Sequence, residues 1–420
     1  MKQSQLFGKT LREDPKDEVS ANARLLERGG FIYKTMAGVY DYLPLGWRVL
    51  EKINRIIREE MDAIGGQEML LSALQPKERW QITGRWDTLE EIMYRMKDNS
   101  GREIGLAPTH EEPLTEIAKR SIFSYKDLPV FVYQIQTKFR DEPRAKSGLI
   151  RGREFLMKDL YSFHTDAKSL DAFYVTARDA YLTIFKRCGL HAYVTEASGG
   201  TFTKQYSHEF QVLSDAGEDW LFYCKKCAYA QNKEIAKIGV GHLCPKCKGK
   251  IEQGRSIEVG NIFKLGIKFS EAFGLLYTDE KGKKYPVVMG SYGIGPGRLM
   301  GTIVEAHQDA RGIMWPEEVA PYAIHIIELR GKEKAKKVKE TAGKLYKELL
   351  AKGMEVLYDD RDDKTAGEKF ADADLLGVPW RIVVSEKTVE KASAEVKQRD
   401  KNQAQLVKLA QLKNFLKTGR

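Results

Sequence analysis

Residues 137–164 read TKFRDEPRAKSGLIRGREFLMKDLYSFH, a basic loop held between two β-rich segments, Val130 to Phe139 and Glu154 to Phe163. The loop carries Arg140, Arg144, Lys146, Arg151 and Arg153 among Gly and Pro. Strand, charged loop and strand predict an antiparallel hairpin whose tip can hold a polyanion. A guanidinium presents donors in a plane that match phosphate or carboxylate oxygens two at a time. Arg140 beside Glu142 would therefore grip an activated phosphate while the carboxylate reads a base. A solvated charged hairpin would be written with the same residues.

The wording FRDE followed by REFLMKD resembles motif 2 of the class II aminoacyl-tRNA synthetases in their prolyl branch. Upstream, residues 46–64 put Val49, Leu50, Ile53, Ile56, Ile57 and Met61 on one face of a helix that stops at Gly65-Gly66, and the strand EMLLSAL follows. That pair resembles motif 1, the family's dimerisation element, with Ser72 where proline is usual. Downstream, GSYGIGPGRLMGTIVEA resembles motif 3, a strand, a glycine-rich turn and a helix bearing Arg298. RSIEVGNIFKLG resembles a family strand, with Asn261 in the place of histidine. EASGGTFTKQYSHEFQVL resembles another, with extra residues between Gly200 and Ser207 that bear on Thr201.

In LAPTHEEPLTEIAKR, Pro113 suits the first turn of a helix, so Thr109, Glu111 and Glu112 sit at its entrance. An ordinary helix start explains this too. In the prolyl branch the segment binds the amino acid, and a buried Glu111 would pair with the substrate's cationic nitrogen. The predicted helix 168–188 carries core aromatics and ends at Cys188, which reads as a buried thiol.

At 420 residues the chain suggests two or three domains. No apolar run approaches the ~20 residues that span a bilayer, and the first residues lack the apolar core of a secretory signal. The expectation is a cytoplasmic enzyme without a membrane partner. The net charge is +10, and residues 321–420 hold 22 Lys and Arg against 16 Asp and Glu. That favours a polyanionic partner, although a basic surface need not have one.

Cys224, Cys227, Cys244 and Cys247 have the C-x2-C-x16-C-x2-C spacing of a four-thiolate zinc ribbon. Paired disulfides are the alternative, disfavoured where thiols stay reduced. Four thiolates leave no open coordination position, so the expected zinc is structural.

Beyond Pro316 and Pro321, strands and helices alternate: IHIIEL, a helix 332–352, MEVLYDD, a helix 365–376, WRIVVS and AEVKQR. This resembles the anticodon-binding domain of the prolyl, threonyl, glycyl and histidyl branch. Glu395, Lys397 and Arg399 alternate onto one strand face, and their family counterparts contact anticodon bases. A charged, exposed edge strand would read the same way.

The resemblance implies an α+β fold: a class II antiparallel sheet flanked by helices (1–320), a zinc-ribbon-like insertion (221–256) and a C-terminal α/β anticodon-binding domain (321–420). It implies proline activation with Mg²⁺-bound ATP, transfer to tRNA(Pro), and a homodimer. Arg140 and Arg298 would be catalytic, and Arg140, Glu142, Arg151, Phe155, Glu209, Gln211 and Arg298 would bind ATP. Thr109, Glu111, Arg140, Phe163, His208 and Ser291 would bind proline. Arg144, Glu395, Lys397 and Arg399 would touch tRNA. The insertion is too short for the large domain with which many bacterial relatives hydrolyse alanyl-tRNA, so no editing in cis is expected. A threonyl or glycyl enzyme and a non-catalytic tRNA-binding paralogue are the rival classes; Arg140 and Arg298 argue against the second.

Overall fold

The computed structural model describes residues 1–16, 18–143, 145–197 and 207–418. The chain divides into two compact units, residues 1–33, 41–52 and 303–420 in one and 34–40 and 53–302 in the other. The first thus gathers residues 1–33, 41–52 and 303–320, which a division at 320 would leave with the larger part.

The larger unit is built on a nine-stranded sheet. Its strands are β1 (Gln67–Glu68), β2 (Val130–Phe139), β3 (Glu154–His164), β4 (Tyr193–Ala197), β5 (Ser207–Leu213), β6 (Asp219–Cys224), β7 (Ala230–Asn232), β8 (Ile251–Gly266) and β9 (Val288–Ile294). The main path runs β7-β6-β8-β9-β3-β2-β1, with β5 paired to β8 and β4 to β5. Among the described residues of this sheet, β1 and β2 pair in parallel and the other pairs are antiparallel. The central hairpin forms as read: β2 and β3 pair antiparallel from Val130 opposite Phe163 to Phe139 opposite Glu154. EMLLSAL, by contrast, is not one strand; only Gln67–Glu68 and Leu74–Pro76 are extended and paired around it.

Strand alternation sorts the side chains. Along β3, Lys158, Leu160 and Ser162 turn to one face, where the Ser162 hydroxyl meets the Tyr292 hydroxyl at 3.0 Å. Phe155, Met157, Asp159 and Tyr161 turn to the other, which carries the cleft. The first face is covered by a helix, Ala167–Arg187, whose Leu170, Phe173, Tyr174, Ala177, Tyr181 and Ile184 are buried at helical spacing. Cys188 just after it is buried, as read.

In the other unit a five-stranded sheet follows the order Val356–Asp359, Ile324–Leu329, Trp380–Ser385, Ser393–Gln398, Gln405–Lys408, the first three parallel. The helix Ala335–Leu350 lays Val338, Ala342, Leu345 and Leu349 on it, three and four residues apart. The helix Ala366–Leu376 starts with a reciprocal Thr365 and Glu368 capping box and ends at Gly377, whose φ of 69° few other residues accept. Among the described residues, no helix is long and apolar enough to cross a membrane.

Candidate active site

The hairpin, β8, β9 and the helix Glu111–Ala118 enclose a cleft of about 320 Å³. Arg140 leaves the end of β2 and donates through Nε and Nη2 to the Pro108 carbonyl at 3.2 and 3.1 Å. Its guanidinium lies 5.3 Å from the Phe155 ring centre, a cation over an aromatic face. Burial, and then the nearby Arg298, bring its pKa below the ordinary arginine value. Two guanidiniums that repel one another across a cleft are stabilised when a polyanion enters between them. Arg298, in the first turns of the helix Pro296–Ala306, is held by the carbonyls of Ile150 at 2.8 Å and Glu258 at 3.1 Å. Arg151 bridges Glu142 at 3.0 Å and Glu218 at 2.5 Å on the rim.

The same cleft also holds a buried acidic group. Glu111 is 1 % exposed and accepts from the Thr109 hydroxyl at 2.6 Å, the Tyr161 hydroxyl at 3.3 Å and the Ser291 hydroxyl at 3.4 Å. Pro113 stands in the first turn of its helix, which begins at Glu111. A buried carboxylate with converging hydroxyls is a receptor for a small cation. Sequence reading missed Arg85, whose Nη1 lies 3.0 Å from Glu111 and 3.0 Å from Glu112. Burial alone would lower the arginine pKa, but the charges of Glu111 and then Glu112 outweigh it and raise the value. Two adjacent carboxylates at a predicted helix entrance were the available signal, because burying both demands a cation.

The cleft therefore assembles Thr109, Glu111, Arg140, Glu142, Arg151, Phe155, Ser291 and Arg298, eight residues expected from the sequence. Others are elsewhere. His208 does not wall the cleft: its Nδ1 meets the Tyr174 hydroxyl at 2.9 Å on the helix-covered face. His208 and Glu209 are expected on the proline and ATP sides of one site, but neighbours on a strand point to opposite faces. Phe163 lies two residues past Tyr161 and packs with Leu265, Phe269 and Met289 instead of lining the cleft. Gln211 is buried, and its amide ties Glu209 to the cleft-lining Asp219 at 3.0 Å each. Burial, and then Glu258 beside it, push the Glu209 carboxyl up to about 7. Glu258 and Asp219, which sequence reading gave no role, thus make one acidic corner with Glu209. Arg144 and Thr201 lie outside the described residues.

The profile of the tRNA synthetase class II core domain (G, H, P, S and T) matches residues 94–307, and that of the anticodon binding domain matches 323–419. A proline–tRNA ligase of Moorella thermoacetica is 36 % identical over 96 % of both chains, and one of Dehalococcoides mccartyi is 35 % identical over 97 % of both. The chain belongs to the proline–tRNA ligases. A Giardia lamblia prolyl-tRNA synthetase in complex with prolyl-adenylate shares the fold, with a TM-score of 0.79 at 20 % identity over 95 % of this chain and 78 % of that one. So does a Cryptosporidium parvum enzyme complexed with halofuginone and AMPPNP, at 0.77 and 19 % over 94 % and 77 %. As a class II proline–tRNA ligase, the chain activates proline with ATP and esterifies it to tRNA.

In this ligase the four cysteines of the insertion converge, their sulfur atoms all within 4.8 Å of one another. Zinc–thiolate bonds of ~2.3 Å make a tetrahedron with edges of roughly 3.8 Å, which the 3.4 and 3.6 Å Sγ pairs approach from below. One centre for all four thiols suits a metal, whereas two disulfides need only pairwise approach.

The ligase's anticodon-binding domain places Glu395 and Lys397 on the strand Ser393–Gln398 and Arg399 just past its end. That strand is paired on both sides, so the exposed-edge alternative does not hold. The Arg399 guanidinium is gripped by both oxygens of Asp309 at 2.7 and 2.9 Å, and Lys397 is buried. Glu395 is partly exposed.

Proposed function

We propose that the cleft joins proline to ATP with Arg140 between the α-phosphate and the proline carboxylate, and Arg298 on the γ-phosphate. Glu142 and Phe155 hold the adenine, with Arg151 closing the rim. Glu209, in its acidic corner with Glu258, takes the Mg²⁺ that enters with ATP. Thr109 and Glu111 receive the proline nitrogen and Ser291 lines the ring. The carboxylate of proline attacks the α-phosphorus and pyrophosphate leaves; the terminal ribose hydroxyl of tRNA(Pro) then attacks the carbonyl of the adenylate, loses its proton, and AMP leaves as the acyl–phosphate bond breaks. No protein nucleophile is needed; positioning and charge neutralisation carry both steps. The observation that carries this reading is one cleft lined by two arginines and by a Glu111 that accepts from three hydroxyls.

We further infer that alanyl-tRNA is not edited in cis. The matches to the two relatives run over 551 and 555 aligned positions against 420 residues here, so at least 131 positions of the first have no counterpart. Because each match covers 96 % or more of both chains, those positions are internal. Proline exceeds alanine by two methylenes, each worth only ~1–3 kcal/mol of discrimination, so some mischarging follows. Structural zinc in the insertion, a catalytic part ending near residue 320, base contacts around Glu395 with Lys397 and Arg399 behind it, acceptor-stem contact by Arg144, homodimerisation and a cytoplasmic location complete the proposal.

The test is ATP–pyrophosphate exchange with proline, alanine, cysteine, threonine and glycine, followed by the lifetime of Ala-tRNA(Pro). Strongest exchange with proline and surviving Ala-tRNA support it. Preference for threonine or glycine overturns the substrate, and rapid loss of Ala-tRNA overturns the absence of editing.

A further inference from the structure

We propose that the cysteine-bearing insertion is an RNA-binding surface that takes the phosphate backbone of the tRNA acceptor arm. The inference rests on tRNA being the acceptor in the second step.

The charge distribution points to it first. Residues 1–320 hold 47 Lys and Arg against 43 Asp and Glu, while residues 222–256 alone hold 8 against 2. The remainder of the first 320 residues is therefore 39 against 41, net negative, and all the positive excess sits in this 35-residue segment. A zinc tetrathiolate carries a formal −2, which offsets part of the +6 and leaves about four charges with no internal use.

These charges face solvent. Lys225, Lys226, Lys233, Lys237, Lys246, Lys248 and Lys250 are all exposed. Lys225 pairs with Glu252 at 2.6 Å, but among the described residues no ion pair engages Lys226, Lys237, Lys246, Lys248 or Lys250. Lys226, Lys246, Lys248 and Lys250 each lie within three residues of a cysteine of the cluster, so their Cα atoms are at most ~10 Å of chain away from it. Uncompensated like charges gathered on a small rigid knuckle repel, a cost relieved when phosphates replace their counterions. Aromatic rings lie among them: Lys246 is 5.9 Å from the Tyr229 ring centre, and Arg255 is 5.5 Å from that of Trp220, which is 38 % exposed. Cations interleaved with open aromatic faces suit RNA.

The position fits the reaction. Asp219 lines the cleft, and Cys224 is five residues further along the same strand, ~17 Å at about 3.3 Å per residue. On the way back, β8 runs from Ile251 in the insertion to Ser256–Asn261 on the cleft wall. A tRNA whose 3′ end reaches the adenylate thus brings its acceptor stem within reach of the lysines. No other polyanion of that length is delivered to this edge by the catalysed reaction.

The experiment replaces four lysines together, Lys226→Glu, Lys246→Glu, Lys248→Glu and Lys250→Glu, in the full-length zinc-loaded enzyme. Proline-dependent ATP–pyrophosphate exchange stays within about twofold, because none of the four touches the cleft. The KM for tRNA(Pro) rises about tenfold or more, and the slope of log kcat/KM against log salt falls by about 3, at roughly 0.7–0.9 per phosphate contact. A four-glutamine version, which places no new carboxylates beside the thiolates, moves both in the same direction by less, and a four-arginine version restores them. Unchanged KM and slope with exchange intact overturn the proposal, as does failure of arginine to restore what glutamate removed. Wild-type enzyme that exchanges pyrophosphate but charges no tRNA(Pro) strikes the transfer reading itself. Preferential binding of phosphatidylserine vesicles over tRNA, abolished by the same lysine changes, would make the surface a membrane contact.

Discussion

Nη1 of Arg85 lies 3.0 Å from Oε2 of Glu111, inside a pocket where Glu111 is 1 % exposed. The same nitrogen lies 3.0 Å from Glu112, and the guanidinium sits 5.4 Å from the Trp80 ring centre and 5.5 Å from that of Phe269. One cation thus serves two carboxylates, and burial followed by this neighbour's charge raises the Glu112 pKa against the pull of Arg85. In the proposed site the proline nitrogen is the second cation that this cluster receives. Arg85 is not among the residues that line the cleft, so on that reading it is a positioning residue that holds Glu111.

Replacing Arg85 with Gln should raise the KM for proline tenfold or more in pyrophosphate exchange and leave the KM for ATP within about twofold. Stability should fall by about 3–5 kcal/mol in urea unfolding, the cost of leaving buried charge uncompensated. Adding Glu112→Gln should recover part of that loss by removing one of the stranded carboxylates. Equal changes in both KM values would show a general distortion instead of a positioning role.

Arg140→Ala and Arg298→Ala should each slow adenylate formation by about 10²–10³, or ~2.7–4 kcal/mol, typical of losing one donor to developing charge. The fold should persist, since both side chains bind backbone carbonyls that cleft water can satisfy. Single-turnover adenylate formation with far-ultraviolet circular dichroism separates the effects, and normal adenylate formation by either variant would contradict the assigned roles.

Acid should act on two groups with opposite signs. Glu209 is raised from 4.5 to about 7 in the fold, so the folded state binds the extra proton in that window and this group's contribution to stability falls as pH rises through it. Its ionisation above 7 should strengthen Mg²⁺ and ATP binding, so the KM for Mg²⁺-bound ATP should drop severalfold between pH 6 and 8, and Glu209→Gln should flatten the profile. His110 behaves inversely: burial, and then Lys138, lower it from 6.5 to about 4. Its contribution is intact above 6.5 and is lost as pH falls towards 4, roughly 3 kcal/mol at about 1.4 per unit. Because Glu209 works in the opposite direction over this window, the measurement is the difference between the chain and its His110→Gln variant in urea titrations at pH 7, 5.5 and 4.5, and that difference should shrink as pH falls.

The purified chain should contain one zinc per molecule by atomic absorption. Chelation should speed amide exchange selectively in residues 224–250, because among the described residues the buried apolar groups that pack with the cysteines form one small cluster around Ile251. A chain with no bound metal and unchanged protection there would remove the zinc assignment.

The sequence by itself determined the hairpin, the helices and the order of the three motifs, since each depends on local pattern: period two in β2 and β3, period 3.6 in Pro44–Ala63, Pro113 and Gly377 at helix ends. It also named eight of the residues that line the cleft, because Arg140, Phe155 and Glu111 each belong to contiguous wording. Tertiary structure alone decided what lies opposite what. His208 faces Tyr174 because strand alternation and the covering helix turn it from the cleft. Arg399 is spent on Asp309, 90 residues away, and Arg85 on Glu111, 26 residues away. A buried charge is stable only beside its counter-charge, and which residues bring the two together is a property of chain packing that no local pattern encodes.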